Sequence, residues 1–266
     1  MNLAASYFLI RISFMNMLAY RSRYYTGIIT YTVHVAVHSS ILVAAWNQKM
    51  VDFSQAELVT FIAIGYIIRS CTFSNMDQEI AAQVADGSMV MDLLKPMDYL
   101  GMQFCRATGS MLFRLFIFTG PVGLAIFYFF DNIQLPQNII PFVISTFLAY
   151  WLFAQVTFLV GLCAIKLHSI GGLIRMKNHL LNLLMGLTIP LSFYSHFPLL
   201  DTLIRLTPFP EMSHTPVMIY MNRLDDLHAA SVYEALQFQF LWALALTLLS
   251  RLLWLRVKKH IMIQGG

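Results

Sequence analysis

The chain has 266 residues, of which 58% are hydrophobic and 11% charged, against about 25% charged in an ordinary soluble domain. That balance excludes a soluble globular domain and places the chain in the membrane class. The net charge of +4 does not point to nucleic acid, because the bases are spread along the chain and form no single patch. Cys71, Cys105 and Cys163 stand apart, without a CxxC or a neighbouring histidine pair, and read as packing residues. Arg11 interrupts the first apolar run, which is too short for a cleavable signal peptide.

Residues 1–23 put Leu3, Tyr7, Ile10, Phe14, Met17 and Leu18 on one helical side, with Arg11, Arg21 and Arg23 elsewhere. This predicts a helix lying in the membrane interface. Six membrane spans follow, near Tyr25–Trp46, Leu58–Phe73, Gln103–Phe130, Ile139–Ile165, Leu173–Tyr194 and Tyr233–Leu255. Each reaches or approaches the roughly 20 residues needed to cross a bilayer. With both termini and the 74–102 and 166–177 loops placed inside, fourteen of the 17 Lys and Arg fall on or near that side; only Lys49, Arg205 and Arg223 fall outside. That positive-inside bias sets the expected orientation. The fold class is therefore all-α, a single polytopic domain over residues 1–266.

Between the second and third spans lies residues 74–99, SNMDQEIAAQVADGSMVMDLLKPMDY. Ser74 with Asp77 reads as a capping box. Ile80, Val84, Gly87, Met91 and Leu94 recur at spacings of four and three, one apolar stripe of a helix, with Glu79, Gln83 and Asp86 on an adjacent polar face. Gly87 divides the segment into two short helices, with Ser88 capping the second, and Pro96 ends it. Four acids, Asp77, Glu79, Asp86 and Asp92, precede the first base on the side where bases otherwise dominate. A solvated loop and a docking surface both remain open; the stripe favours docking.

The segment 195–232 follows a fifth span broken by Gly186 and Pro190. Pro198 opens a short helix through Leu199, Leu203 and Leu206, which Pro208 and Pro210 close, with Phe209 between them. It is too short to span, so it forms either a re-entrant outer lid or a packed loop. His34 and His38 stand one turn apart in the first span, a metal-like spacing with no third ligand beside it. They either pack and hydrogen-bond to a neighbouring helix or face a substrate path. Arg114 lies about a turn inside the third span, with Arg106 two turns earlier. Arg114 either snorkels to the inner headgroups or lines a cavity for an anionic or amphipathic substrate. No phosphate loop, HExxH or GxSxG motif is present, and none of the thirteen acids lies deep in a predicted span. The chain is thus not expected to be an enzyme, and a proton-coupled carrier is disfavoured.

Glu79, Ile80, Val84, Gly87, Leu93, Leu94 and Pro96 form the pattern EIxxxVxxGxxxxxLLxP. With the interfacial N-terminal helix, the six spans, Pro190, Pro198, Pro208-Phe209 and the terminal Gly265-Gly266, it resembles the permease subunit of a type-2 exporter of the ATP-binding-cassette class. The resemblance covers essentially the whole chain. It implies drug, toxin or lipid-like efflux across a bacterial cytoplasmic (inner) membrane. It further implies a separate ATPase that carries the ATP and Mg²⁺, with no cofactor in this chain, and a second permease chain, identical or a sister. Glu79, Ile80, Gln83, Val84, Asp86, Gly87, Met91, Leu94 and Pro96 would couple to that ATPase, and the Pro198–Pro210 stretch would form the outer gate. The reading from a different class is a non-transporting anchor or assembly factor that recruits a soluble partner through residues 74–99. An ATPase that co-purifies with the chain separates the two.

Overall fold

The computed structural model describes residues 3–19, 22–46, 53–130, 133–167, 170–188, 190–227 and 229–260; Arg21, Lys49 and Gly265-Gly266 lie outside them. Every regular element among the described residues is helical. The long helices are α1 (Leu3–Ala19), α2 (Ser22–Trp46) and α3 (Gln55–Thr72). Two short ones, α4 (Met76–Ala85) and α5 (Met89–Leu93), precede α6 (Tyr99–Arg114). A π-helical turn over Leu115–Thr119 joins α6 to α7 (Gly120–Phe129). It sits just before Pro121, whose ring and missing N–H disturb regular bonding to the preceding turn. Then come α8 (Ile139–Leu162), α9 (Ala164–Leu167) and α10 (Gly171–Leu184), followed by α11 (Pro198–Arg205), α12 (His214–Met221) and α13 (Val232–Val257).

Five stretches are long and apolar enough to cross a membrane: Tyr24–Ala44, Gln55–Ala85, Tyr99–Phe129, Ile139–Leu167 and Asp225–Val257. The expected fifth span, Leu173–Tyr194, is not one helix. α10 has 14 residues, about 21 Å at 1.5 Å per residue, short of a hydrocarbon core of about 30 Å. Gly186 then turns the chain with a φ of 74°, and Pro190 precedes a 3₁₀ segment over Leu191–His196.

α1 does more than lie at an interface. Its Ser13 hydroxyl donates to the Arg106 carbonyl at 2.8 Å and stands 3.2 Å from the Ser110 hydroxyl, so the helix rests along α6. Phe14 meets Phe113 edge to face, while Leu3 and Tyr7 stay exposed.

α8 is the centre of the bundle. Leu152, Phe153, Ala154 and Phe158 are fully buried, and the helix packs against α3, α4, α12 and α13. Hydrogen bonds pin it to α13: Ser145 donates to Gln239 at 2.9 Å, and Trp151 and Gln155 donate to Thr247 at 2.8 and 3.0 Å. Polar pairs of this kind act as glue between helices that share no hydrophobic driving force in lipid.

The two helices of the region expected to be a lid or a packed loop differ in burial. α11 starts at Pro198 as expected and exposes Leu199, Leu203 and Leu206. All eight residues of α12 are buried between α3 and α8. Its short backbone is covered by protein on every side, the condition for irregular structure at membrane depth. Arg223 closes this hairpin onto the start of α3, pairing with Glu57 at 3.3 Å and lying over Phe53.

Candidate functional site

The loop between α3 and α6 forms at the end of α3 opposite Glu57. Its two helices meet at Gly87, whose φ of 75° suits glycine and which has open space where a side chain would sit. The caps differ from expectation. Ser74 accepts from the Met76 amide at 3.3 Å, and the N-cap residue of α4 is Asn75, without a side-chain cap. Asp77 is unavailable for a capping box because it turns inward and pairs with Lys177 of α10 at 2.5 Å, both side chains less than a tenth exposed. Ser88 does not cap α5 with its side chain. Instead Asp86 accepts from the Ser88 amide at 2.8 Å and closes the Gly87 corner. Those bonds to Ser88 hold the Asp86 carboxyl below the usual carboxylate range.

The apolar stripe is divided between two surfaces. Ile80 is fully buried and lies so close to Gly161 of α8 that a Cβ there would come within 2.8 Å of its Cδ1. Val84 is half-buried against the same part of the core. Met91 and Leu94 are 66% and 74% exposed, and Asp86, Gly87, Lys95 and Pro96 are exposed beside them.

An internal polar network fixes this loop. Buried Asp92 receives Arg106 of α6 at 2.6 and 2.8 Å, Lys95 at 2.7 Å and Gln83 of α4 at 3.1 Å. The Gln83 side-chain oxygen in turn accepts from Tyr99 and Gln103, both at 2.9 Å. Tyr99 stacks on Trp254 of α13 at 4.7 Å. Burial pushes the Asp92 carboxyl up, but the bonds from Arg106 and Lys95 outweigh it and hold the carboxyl low. Of the four acids in this loop, Asp77 and Asp92 are therefore committed internally, and Glu79 and Asp86, expected on the polar face, are exposed. Gln83 and Ile80 likewise serve the chain's own packing.

The intramembrane candidates fall in two places. His38 contacts the Tyr66 hydroxyl at 3.1 Å and the Thr188 carbonyl at 2.9 Å, bridging α2, α3 and the chain after α10. His34 is exposed and stands edge-on to Tyr66 at 5.2 Å. Among the described residues no group of three His, Cys, Asp or Glu could hold a metal ion. Arg114 does not snorkel outward. It is 6% exposed, donates to the Phe73 carbonyl at 2.8 Å and lies 4.7 Å over the Phe73 ring. It thus satisfies an orphan carbonyl at the C-terminus of α3, where the helix dipole favours a cation. Arg69 also lies over the Phe73 ring, at 4.6 Å, and donates to Asn182 at 3.3 Å. Sequence reading did not single out Arg69, although a base inside a span is itself the signal.

At the far end, Pro190 is buried and begins the 3₁₀ segment, and Pro198 opens α11. Pro208 and Phe209 lie in the bend before the next 3₁₀ turn, with Phe209 packed on the cluster of Leu181, Met185 and Met212. Buried Glu211 and His214 follow it; sequence reading passed over both because they lie outside every predicted span.

A family model described as ABC-2 family transporter protein matches residues 28–265. No curated protein and no solved structure matches the chain.

Proposed function

The chain belongs to the ABC-2 transporter family, and from that membership we propose that it is the membrane-spanning subunit of an ATP-driven exporter. The family's membrane domain is the non-catalytic permease part, and it implies an ATP-binding-cassette ATPase as partner. On our reading, ATP and Mg²⁺ bind that partner, and two permease chains, identical or sister, enclose the substrate path. A hydrophobic or amphipathic substrate leaves a bacterial cell across the inner membrane by alternating access. Both termini and the α4–α5 loop face the cytoplasm, as the distribution of Lys and Arg favours. Pro190, Pro198, Pro208 and Phe209 belong to the outer gate, and His34, His38 and Arg114 lie along the substrate path.

The observation that carries this reading is the two-faced α4–α5 loop. Its inner face is locked to α6, α8 and α10 by Asp92, Ile80 and Asp77. Its tip leaves Asp86, Met91 and Leu94 to solvent. A docking tip rigidly joined to the bundle is what transmission of movement requires. Acidic groups there add register and on-rate more than affinity. The test is native mass measurement of the chain drawn from its own membranes in mild detergent. The expected result is two permease chains with bound ATPase; a lone chain that supports full transport after reconstitution would refute the paired assembly.

A further inference from the structure

Between the α11–α12 hairpin and the start of α13 lies a cavity of about 260 Å³. Liquid water takes about 30 Å³ per molecule, and small-molecule pockets begin at about 300 Å³. The space is thus near the size of a small organic molecule. The hairpin carries two polar residues into it. Glu211 sits in the 3₁₀ turn Pro210–Met212, its own carbonyl held by Gln239 of α13 at 2.7 Å. His214 opens α12 with its ring 6.1 Å from that of Phe61.

Glu211 is 6% exposed and His214 is 2% exposed. Glu211 Oε2 and both ring nitrogens of His214 have no hydrogen-bond partner among the described residues. The Asp226 carbonyl lies beside His214 but receives no well-directed bond from either ring nitrogen; it accepts from Arg205 at 2.5 Å. Buried polar atoms are nearly always satisfied, so three orphans lining one cavity point to a bound group that satisfies them.

The lining charge says what kind of group. Glu211 and Glu234 line the cavity as acids, and Arg205 lines it as a guanidinium. Arg205 is already paired with Asp201 at 2.8 Å, and Glu234 takes the Ala230 amide at 2.7 Å in the cap of α13, so Glu211 is the acid with neither ion pair nor cap among the described residues. Leu227 and the partly exposed Phe238 supply apolar wall, and an aromatic face also attracts a cation. The described residues hold no three-ligand cluster for a metal.

We propose that this cavity binds a small organic ammonium ion. Its N–H groups donate to the Glu211 carboxylate and to the acceptor nitrogen of His214, Glu234 adds negative charge, and its hydrocarbon lies on Leu227 and Phe238. The proposal does not depend on the ATPase, and binding is measured without one, so its failure and that of the docking reading are separable.

The experiment is equilibrium dialysis of the full chain in nanodiscs against phenethylamine, with 2-phenylethanol as the neutral comparison. One saturable amine site per chain is expected, with the alcohol weaker by about tenfold or more, the size expected for a charge-assisted hydrogen bond. Glu211→Gln should weaken the amine by about the same factor, and Glu234→Gln by a smaller one. Equal binding of amine and alcohol, amine affinity untouched by both substitutions, or displacement by millimolar sodium would each overturn the proposal. If Glu211→Gln fails to fold, the amine–alcohol comparison on the unaltered chain and Glu234→Gln at its exposed position decide the matter.

Discussion

A lysine and a carboxylate taken out of water together, as Lys177 and Asp77 are, stabilise the chain only as a pair. Removing one partner strands a buried charge at a cost of about 3–5 kcal/mol, whereas replacing both with apolar groups is often close to neutral. Lys177→Met should therefore lower the melting temperature sharply, and Asp77→Leu in the same chain should restore most of it, as a double-mutant cycle in nanodiscs would read. Asp92 behaves differently because Arg106 is 22% exposed, so Asp92→Asn should cost less, about 2 kcal/mol. Its folded carboxyl lies below the usual range. The stability it gives is then present in full above the unfolded pKa of about 3.9, and is lost as pH falls through the lower folded value. The stability difference between Asp92→Asn and the unaltered chain should hence be flat from about pH 8 to pH 5 and shrink only below that. Neither pairing was legible in the sequence. Ser74 and Asp77 match a local capping pattern, and nothing local announces that Asp77 has a lysine 100 residues away.

At the scale of elements, what the sequence revealed was whatever depends on local backbone chemistry. Gly87 divides α4 from α5, and Pro198 opens α11, because a positive φ and a fixed one are demanded by single residues. α12 was not legible: HTPVMIYM is short and apolar on every side, so it has no periodicity to find. The fifth span was overread for the converse reason, since the apolar run continues through Gly186 and Pro190 while the helix stops at Leu184. The seat of α4 on α8 is a prediction in itself. A side chain at Gly161 would overlap Ile80 and come within 3.2 Å of the Asp77 backbone. Gly161→Val should cost about 1–3 kcal/mol by overpacking and loosen the loop from the bundle. Transport should then fall more than ATPase retention does, and Ile80→Ala in the same chain should recover part of the loss. Equal loss of both, unrelieved by Ile80→Ala, would argue against α8 as the route from loop to bundle.

For the whole molecule, composition was enough to identify a helical membrane protein, and the 74–99 pattern enough to place it near its family. The polar face read from the spacing holds the two acids left exposed, Glu79 and Asp86, but the inward turn of Asp77 and Asp92 was not legible, because Arg106 and Lys177, which claim them, are brought near only by the fold. Orientation is testable directly. Asp225 is exposed beyond α12, and Ser88 is exposed at the loop tip, at opposite ends of α3. Asp225→Cys should label with a membrane-impermeant thiol reagent in intact cells, and Ser88→Cys only after permeabilisation; the reverse pattern would invert the topology.

The docking claim is tested most directly by the amount of ATPase retained on purified permease, measured together with efflux. The variants are Asp86→Lys and Leu94→Asp, beside Asp225→Lys as a control at the other end of the bundle. Surface charge changes usually alter stability by less than about 0.5 kcal/mol, so all three should insert normally. Covering an exposed leucine is worth about 1.5–3 kcal/mol, so Leu94→Asp should cut the retained ATPase about tenfold or more and abolish transport, with Asp86→Lys acting in the same direction. If both variants hold the ATPase and transport at the control's rate, the α4–α5 tip is not where the ATPase docks.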